Sequence, residues 1–359
     1  MKLRLLSILT VLALLFSLVS CNIGNNGEGT TTNGDNTTTT NGDDTTTNNT
    51  TETTPPDEIR IYTLNGTTGF GMAKLMNDAK ANEDANYTVT VKTDASEVTA
   101  ALINGDVDIA ALPTNAASNV YNKTNGGVKI LAVNTLGCLY LLTNSNATVT
   151  SFADLKGKTV YAPAQNPTFI LKYLCEQNGL TVGTDVKIDS TSYAQPAALK
   201  DAVAAGLVDI AVLPEPMVTI AISTAAKSNI TITNAMDLTA EWNKVAPKNT
   251  LVQGCVVVRT AFLEAYPTAV EAFLKDYEAS INYLSTNLDE AAQMIVDNGI
   301  FNSAPVAKKA IPKCNVCFLD GAEMKAGMET YLSVLKNINA NAIGGALPLD
   351  DFYYVRTAK

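Results

Sequence analysis

Gly105-Asp106-Val107-Asp108-Ile109-Ala110-Ala111-Leu112-Pro113 returns 101 residues later as Gly206-Leu207-Val208-Asp209-Ile210-Ala211-Val212-Leu213-Pro214. Each copy follows an Ala/Leu-rich run with helical character, Val98 to Ile103 in the first and Ala197 to Ala205 in the second. Each then reads as a helix-stopping Gly, a short buried strand and a strand-ending Pro. The neighbourhoods repeat as well. Tyr87 to Lys92 corresponds to Val186 to Thr191, and Ile59 to Met76 corresponds to Thr159 to Leu174. The unit is therefore strand, loop, helix, strand, helix, strand, loop, written twice. Two similar α/β lobes place a cleft between them, lined by equivalent loops.

Outward from the repeat, each half predicts a strand, a polar loop and a helix. Ile59 to Leu64 reads as the first strand, Asn65-Gly66-Thr67-Thr68-Gly69-Phe70-Gly71 as a turn-rich loop, and Met72 to Ala81 as a helix. Unpaired backbone N–H groups at such a helix start suit a carboxylate, sulfonate or phosphate, and a plain βα turn reads equally well. The loop is not a Walker loop, since no Gly-Lys-Ser/Thr follows, and it lacks the dinucleotide spacing. Its counterpart, Ala162 to Thr168, is also polar. Pro113-Thr114-Asn115 and Pro214-Glu215-Pro216-Met217-Val218-Thr219 open helices at strand C-termini, where open α/β sheets bind ligands. Glu215, between two prolines, reads either as a carboxylate facing the cleft or as a helix-start Glu favoured by the dipole. Trp242, the one Trp, reads as a stacking platform or as a packed ring. The candidate ligand-binding residues are Asn65, Thr67, Thr68, Phe70, Thr114, Asn115, Asn134, Gln165, Asn166, Thr168, Glu215, Thr219 and Trp242.

Val128 to Val133 continues the first lobe, and Cys138 to Thr143 reads as a strand crossing to the second. Ile230 to Thr233 reads as the last strand of that lobe. Val252 to Arg259 reads as the return crossing and as the partner of Cys138 to Thr143, so that two extended segments make the hinge. Pro267 to Leu284 is a long amphipathic helix. Leu288 to Val296, Ala304 to Ala310 and Asp320 to Lys336 follow as helices packed outside the lobes. This division predicts lobe 1 as 57–137 with 256–359 and lobe 2 as 138–255.

The N-terminus predicts export. Met1-Lys2-Leu3-Arg4 precedes an apolar run from Leu5 to Val19 that is too short and wrongly flanked to span a membrane. It ends Leu18-Val19-Ser20-Cys21. Residues 1–20 read as a lipoprotein signal peptide, with Cys21 lipidated and inserted in the bilayer. Residues 21–56 are almost wholly Thr, Asn, Gly and Asp, a tether with nothing to bury and an r.m.s. reach of about 30–35 Å.

Composition excludes several chemistries. There is no histidine, which removes the commonest general base, zinc ligand and pH switch together. No metal site, cofactor or catalytic residue is expected. Setting aside Lys2, Arg4, Glu28, Asp35, Asp43, Asp44 and Glu52 leaves 23 basic and 30 acidic residues, which argues against nucleic acid as a partner. Cys138, Cys175 and Cys255 lie in apolar runs and read as small packed hydrophobes. Cys314-Asn315-Val316-Cys317 lacks the context of a redox or zinc motif and reads as packing or a local disulfide. The chain is expected to be monomeric.

With the Leu-Val-Ser-Cys signal, the tether, the doubled lobes and the phrases DLKGKTVYAP, AAGLVDIAVLPEP and VVVRTAFLEAYPTAVEAFL, the chain resembles the solute-binding lipoproteins of ABC importers. It is similar to their nitrate/sulfonate/taurine and thiamine-precursor branch, with a type II periplasmic-binding-protein fold. The resemblance implies a two-lobed clamp on a small solute, an ABC permease and ATPase as partners, and contacts from Asn65 to Phe70, Pro113 to Ala116, Gln165 to Thr168 and Pro214 to Thr219. None of these four loops carries an Arg or Lys, which favours a polar or heterocyclic solute over nitrate or a sulfonate. The alternatives on the same scaffold are a non-transport surface sensor or adhesive lipoprotein, and a pyrimidine-synthase-like enzyme. The absence of His weighs against the last.

Overall fold

A computed structural model describes residues 56–82 and 85–356. The signal segment, Cys21 and the tether up to residue 55 lie outside the described residues. The first copy of the unit folds as β1 (Ile59–Leu64), α1 (Thr67–Phe70), α2 (Ala73–Ala81), β2 (Tyr87–Lys92), α3 (Ala95–Asn104), β3 (Ile109–Pro113), α4 (Thr114–Thr124) and β4 (Val128–Thr135). The second runs β5 (Leu139–Asn144), β6 (Thr159–Tyr161), α5 (Asn166–Gln177), β7 (Lys187–Asp189), α6 (Pro196–Ala204), β8 (Ile210–Pro214), α7 (Met217–Lys227), β9 (Ile232–Asp237) and α8 (Leu238–Val245). The chain then returns through β10 (Gly254–Arg259) and continues as α9 (Thr260–Ala265), α10 (Pro267–Thr286), α11 (Leu288–Asp297), α12 (Ala304–Ala310), β11 (Val316–Leu319) and α13 (Gly321–Asn339). The repeated glycines do the work the sequence assigns them. Gly105 at φ 82° closes α3 by donating to the Ala101 and Leu102 carbonyls, and Gly206 at φ 69° follows α6.

Two sheets result, in the orders β11-β4-β10-β3-β1-β2 and β7-β6-β8-β5-β9. They are copies. In each, the first strand pairs in parallel with the second and third, and an antiparallel strand separates the third from the fourth. The copies even share register. Pro113 lies opposite Gly254, and Pro214 opposite Leu139. The antiparallel strand is the one that has just arrived from the other sheet. The sequence reading pairs these two segments with each other; in the structure β5 and β10 are instead each inserted into the middle of a sheet. A strand in that position gains ladder hydrogen bonds on both edges, which a free two-stranded hinge ribbon does not. Two further differences are local. The last strand of the second sheet begins at Ile232, because Ile230 still closes the turn after α7 through its N–H to Ala225. The Cys-Asn-Val-Cys stretch supplies β11, an edge strand on β4. All five described cysteines are free thiols, four buried and Cys317 half-buried.

The carboxylate in each repeated phrase explains the repetition. Asp108, just before β3, accepts Arg60 N at 3.0 Å, Arg60 Nε at 3.0 Å, Arg60 Nη2 at 2.7 Å and Arg259 Nη2 at 2.8 Å. Arg60 lies on β1 and Arg259 ends the inserted β10, so one carboxylate ties three strands. Asp209, at the matching place before β8, accepts Asn144 Nδ2 at 2.8 Å and Asn146 Nδ2 at 3.0 Å, and Asn144 ends the inserted β5. The backbone repeats the bond as well: Arg259 N–H donates to Asp108 O, and Asn144 N–H to Asp209 O. Burial pushes the Asp108 carboxyl up, but its bonds to Arg60 and Arg259 outweigh that and hold it below the usual range.

Both faces of the larger sheet are covered, so its strands read as continuous apolar runs. Ile109, Ala111, Val256 and Val258 face α2 and the helices α10–α12. Ala110, Leu112, Cys255 and Val257 face the other way, toward α3, α4 and α13. That second cluster continues through Leu251, Val252 and Trp242 into the smaller sheet. Where the chain crosses, Gln253 N–H donates to Thr135 O and Gln253 Oε1 accepts Cys138 N–H, both at 2.9 Å. A Cβ at Gly137 would lie 2.3 Å from Thr239 Oγ1, so only glycine lets α8 approach this crossing.

Removing the carboxylate from the two copies is predicted to have unequal effects. Asp108→Ala leaves two guanidinium groups without their anion and is expected to cost about 3 kcal/mol. Asp209→Ala loses amide donors at an exposed site and should cost about 1 kcal/mol or less. Denaturant unfolding of the two variants measures the difference, and equal losses would refute the clamp. Because the Asp108 pKa is lowered in the fold, its contribution is present above the ordinary value of 3.8 and is lost as pH falls below it.

Candidate functional site

The C-terminal ends of the parallel strands in both sheets point toward the crossing, so the loops after β1, β3, β6 and β8 converge there. Two contacts cross between the lobes, each joining a loop of the first-strand type to one of the third-strand type. Thr67, at the start of α1, donates its hydroxyl to Glu215 O at 2.9 Å. Asn166, at the start of α5, donates Nδ2 to Asn115 Oδ1, at the start of α4, at 2.8 Å. A third lobe contact runs from Tyr140 OH on β5 to Lys313 O, at 2.9 Å.

Glu215 is the electrostatic centre of this junction. Its side chain is 0% exposed, its Oε2 accepts Thr219 N–H at 3.1 Å, and its Oε1 accepts the Thr219 hydroxyl at 2.9 Å. The carboxylate thus satisfies a free N–H of α7 and lies at the positive end of its dipole. Lys313 Nζ lies 4.0 Å from Oε1. Burial raises the Glu215 pKa above the usual 4.5, against the lowering effect of Thr219 and Lys313. The four loops themselves contain no Lys or Arg, but the fold brings this lysine in from the segment between α12 and β11. The sequence signal for it was its place beside the Cys-Asn-Val-Cys stretch, whose Asn315 braces the crossing by donating to Gly137 O at 2.5 Å. Burial pushes the Cys138 thiol, near Glu215 and Thr67, up to about 12, so it is an inert packed group.

The other candidates divide into free and committed groups. Asn65 and Gln165 are exposed and Thr68 is half-buried, whereas the half-buried Asn115 and Asn166 are bonded to each other and Asn115 also donates to Ala342 O at 3.3 Å. Thr114 is buried with its hydroxyl on Val252 O at 2.8 Å, and Thr168 donates to Pro163 O at 2.7 Å. Asn134 bonds Tyr277 OH at 2.9 Å and Thr68 O at 3.3 Å, fixing α1 and α10 to the end of β4. Two aromatic candidates are corrected. Phe70 is 0% exposed in the core under α10–α12, packed edge-on against Phe301. Trp242 is 0% exposed, donates Nε1 to Thr250 Oγ1 at 2.9 Å, and packs between Tyr173 and Tyr331. Their rings complete the core, where large apolar area is buried, and offer no face to a ligand. Among the described residues no group of three or more His, Cys, Asp or Glu is placed to hold a metal ion, and no helix is long and apolar enough to cross a membrane.

Glu215→Gln tests whether burial governs this carboxylate. A glutamate whose pKa is raised in the fold loses stability as pH rises from its ordinary 4.5 to the raised value. The amide keeps an acceptor for Thr219 N–H without the charge. Thermal unfolding between pH 4 and pH 7 should show the variant gaining stability relative to wild type as pH rises. A constant difference would mean that the carboxylate is not destabilised by its surroundings.

Comparisons with known proteins agree with this architecture. The profile of a family described as "ABC transporter, phosphonate, periplasmic substrate-binding protein" matches residues 71–295. No curated protein matches the chain by sequence. Among solved structures, an ABC transporter protein from Parabacteroides distasonis superimposes with a TM-score of 0.70 at 24% identity, covering 84% of this chain and 100% of that one. The periplasmic aliphatic sulphonate binding protein of Escherichia coli gives 0.67 at 15% identity, covering 84% and 93%. The ligand binding component of an ABC-type import system from Staphylococcus aureus, a structure with zinc bound, gives 0.63 at 14%, covering 83% and 97%. At these identities the likenesses show the two-lobed fold. With its family profile matched over most of the folded body, the chain belongs to the periplasmic substrate-binding proteins of ABC transporters, a family of binding proteins and not of enzymes.

Proposed function

We propose that this chain captures a small polar or heterocyclic solute between its lobes and delivers it to an ABC permease and ATPase. The observation that carries the reading is the pair of matching contacts between the lobes, Thr67 with Glu215 and Asn166 with Asn115. Such bonds form only while the lobes are together, and a solute bridging the same loops biases the clamp toward closure by its differential affinity. Asn65, Thr68, Asn115, Gln165 and Asn166 are the groups with polar atoms to offer. Glu215 and Thr219 hold the second lobe's loop, and Lys313 approaches it from the first. Lipidation of Cys21 keeps the protein at the membrane, and the tether to residue 56 lets a monomeric body, with 57–137 and 256–359 in one lobe and 138–255 in the other, reach the permease.

Trp242 supplies a reporter of closure, because it packs against Tyr173 of α5 and Tyr331 of α13. A solute that moves the lobes is expected to change its fluorescence saturably and to raise the melting temperature. At about a thousand times Kd the stabilisation is about 4 kcal/mol, on the order of 8 °C or more for a body of this size. Heterocycles, amino acids, polyamines, taurine, alkanesulfonates, methylphosphonate and nitrate make the panel. Neither signal with any of these, and no compound carried through purification from the native host, would end the receptor reading. In the same host, Cys21→Ser is expected to move the protein from the membrane fraction to the soluble one.

A further inference from the structure

The Cys-Asn-Val-Cys stretch looks like a local pair of thiols, but the fold separates them. Along β11 and just before it, side chains alternate across the larger sheet. Cys314, Val316 and Phe318 pack with the cluster under α10–α12, whereas Cys317 and Leu319 pack with the cluster on the opposite face. Cys317 Sγ lies 3.9 Å from Val133 O on β4. Cys314 is fully buried and turns instead to the junction of the lobes. There the Thr67 hydroxyl, which bonds Glu215 O, lies 3.6 Å from its Sγ.

The thiol that Cys314 meets there is Cys138, far earlier in the chain. Three bonds bracket the two residues. Gly137 O accepts Asn315 Nδ2 at 2.5 Å, Leu136 N–H donates to Asn315 O at 3.0 Å, and Tyr140 OH donates to Lys313 O at 2.9 Å. The segment 136–140, where the chain enters the second lobe, is thus fixed against 313–315 on either side of the cysteines. The Cys138 thiol also packs beside the Thr67 hydroxyl, so both sulfurs gather around one oxygen. Burial pushes both thiols up, Cys138 to about 12, and the nearness of Cys138 pushes Cys314 further. Un-ionised and out of water, neither is reactive once the chain has folded.

We propose that Cys138 and Cys314 form a disulfide while the exported chain folds, stapling the entry into the second lobe to the segment between α12 and β11 of the first. The family is periplasmic, and disulfides form and persist outside the reducing cytosol. The oxidant is a small disulfide, of which oxidised glutathione is the simplest. One protein thiolate attacks it, making a mixed disulfide and releasing one glutathione thiol. The second protein thiolate attacks that mixed disulfide and releases the other. The S–S bond of the oxidant and two protein S–H bonds are exchanged for one protein S–S bond and two S–H bonds, so two protons and two electrons end on glutathione. The burial that silences the thiols then shields the bond, and the staple keeps Lys313 beside Glu215. This inference stands apart from the receptor reading, because it needs only export and the packing of the junction.

The test is to refold the reduced full chain, carrying Cys21→Ser to remove the lipidated thiol, in a mixture of reduced and oxidised glutathione. Free thiols are then alkylated in denaturant, and the chain is digested without reductant for mass spectrometry. One linked peptide pair is expected, Cys138 with Cys314, with Cys175, Cys255 and Cys317 alkylated. A link between Cys314 and Cys317, or alkylation of both Cys138 and Cys314, would overturn the proposal. Thermal unfolding gives a second readout. Because the bond closes a long loop, the oxidised chain should melt several degrees above the same chain in reductant. Cys138→Ala and Cys314→Ala should each abolish that difference. A reductant-sensitive shift that survives in both variants would assign the bond to other cysteines and sink the pairing.

Discussion

The bond between the carboxylate before each central strand and the end of the strand inserted beside it underlies the rest of the molecule. Asp108 holds Arg259, and Asp209 holds Asn144. Each inserted strand has arrived from the other lobe, so each clamp fixes one of the two crossings to the sheet it enters. Inserted in this way, each crossing strand joins the two sheets, and the loops after β1, β3, β6 and β8 meet at the junction through Thr67 with Glu215 and Asn166 with Asn115. The two clamps differ in chemistry, a buried ion pair in one and amide bonds in the other, while the backbone bond beneath them is the same.

Around the junction, most polar side chains serve the fold. Thr114, Asn134, Thr168 and Thr219 spend their hydrogen bonds on backbone or on one another, because a buried polar atom left alone is costly. Glu215 combines both roles weighed from the sequence: it caps the start of α7 and lies at the lobe contact. Its burial is tolerable because Thr219 supplies two donors and Lys313 supplies a nearby charge from the opposite lobe. Asn115 likewise spends its carboxamide on Asn166 and on Ala342 O, and Asn166 Oδ1 is left buried without a donor.

Nearly every strand and helix was legible in the sequence, as were the duplication and the convergence of four loops. β1, the repeated strands and the helices after residue 267 announce themselves by period, by Gly stops and by Pro starts. The less legible features were those made by contacts distant along the chain. Nothing local distinguishes Trp242 on a ligand from Trp242 between Tyr173 and Tyr331. Lys313 lies about a hundred residues from Glu215. β11 is a four-residue edge strand that exists because β4 has an open side, and its sequence reads first as a pair of cysteines.

Composition, periodicity and the doubled phrase by themselves determined an α/β chain of two like halves, without histidine chemistry, with polar loops at the strand ends. These are properties of short windows, where local conformational preference and burial pattern act within ten residues. Tertiary structure alone decided which sheet each crossing strand entered, which polar groups the core consumed, and which lysine met the buried glutamate. Those choices depend on long-range pairing and desolvation, energies that no single stretch of the chain contains.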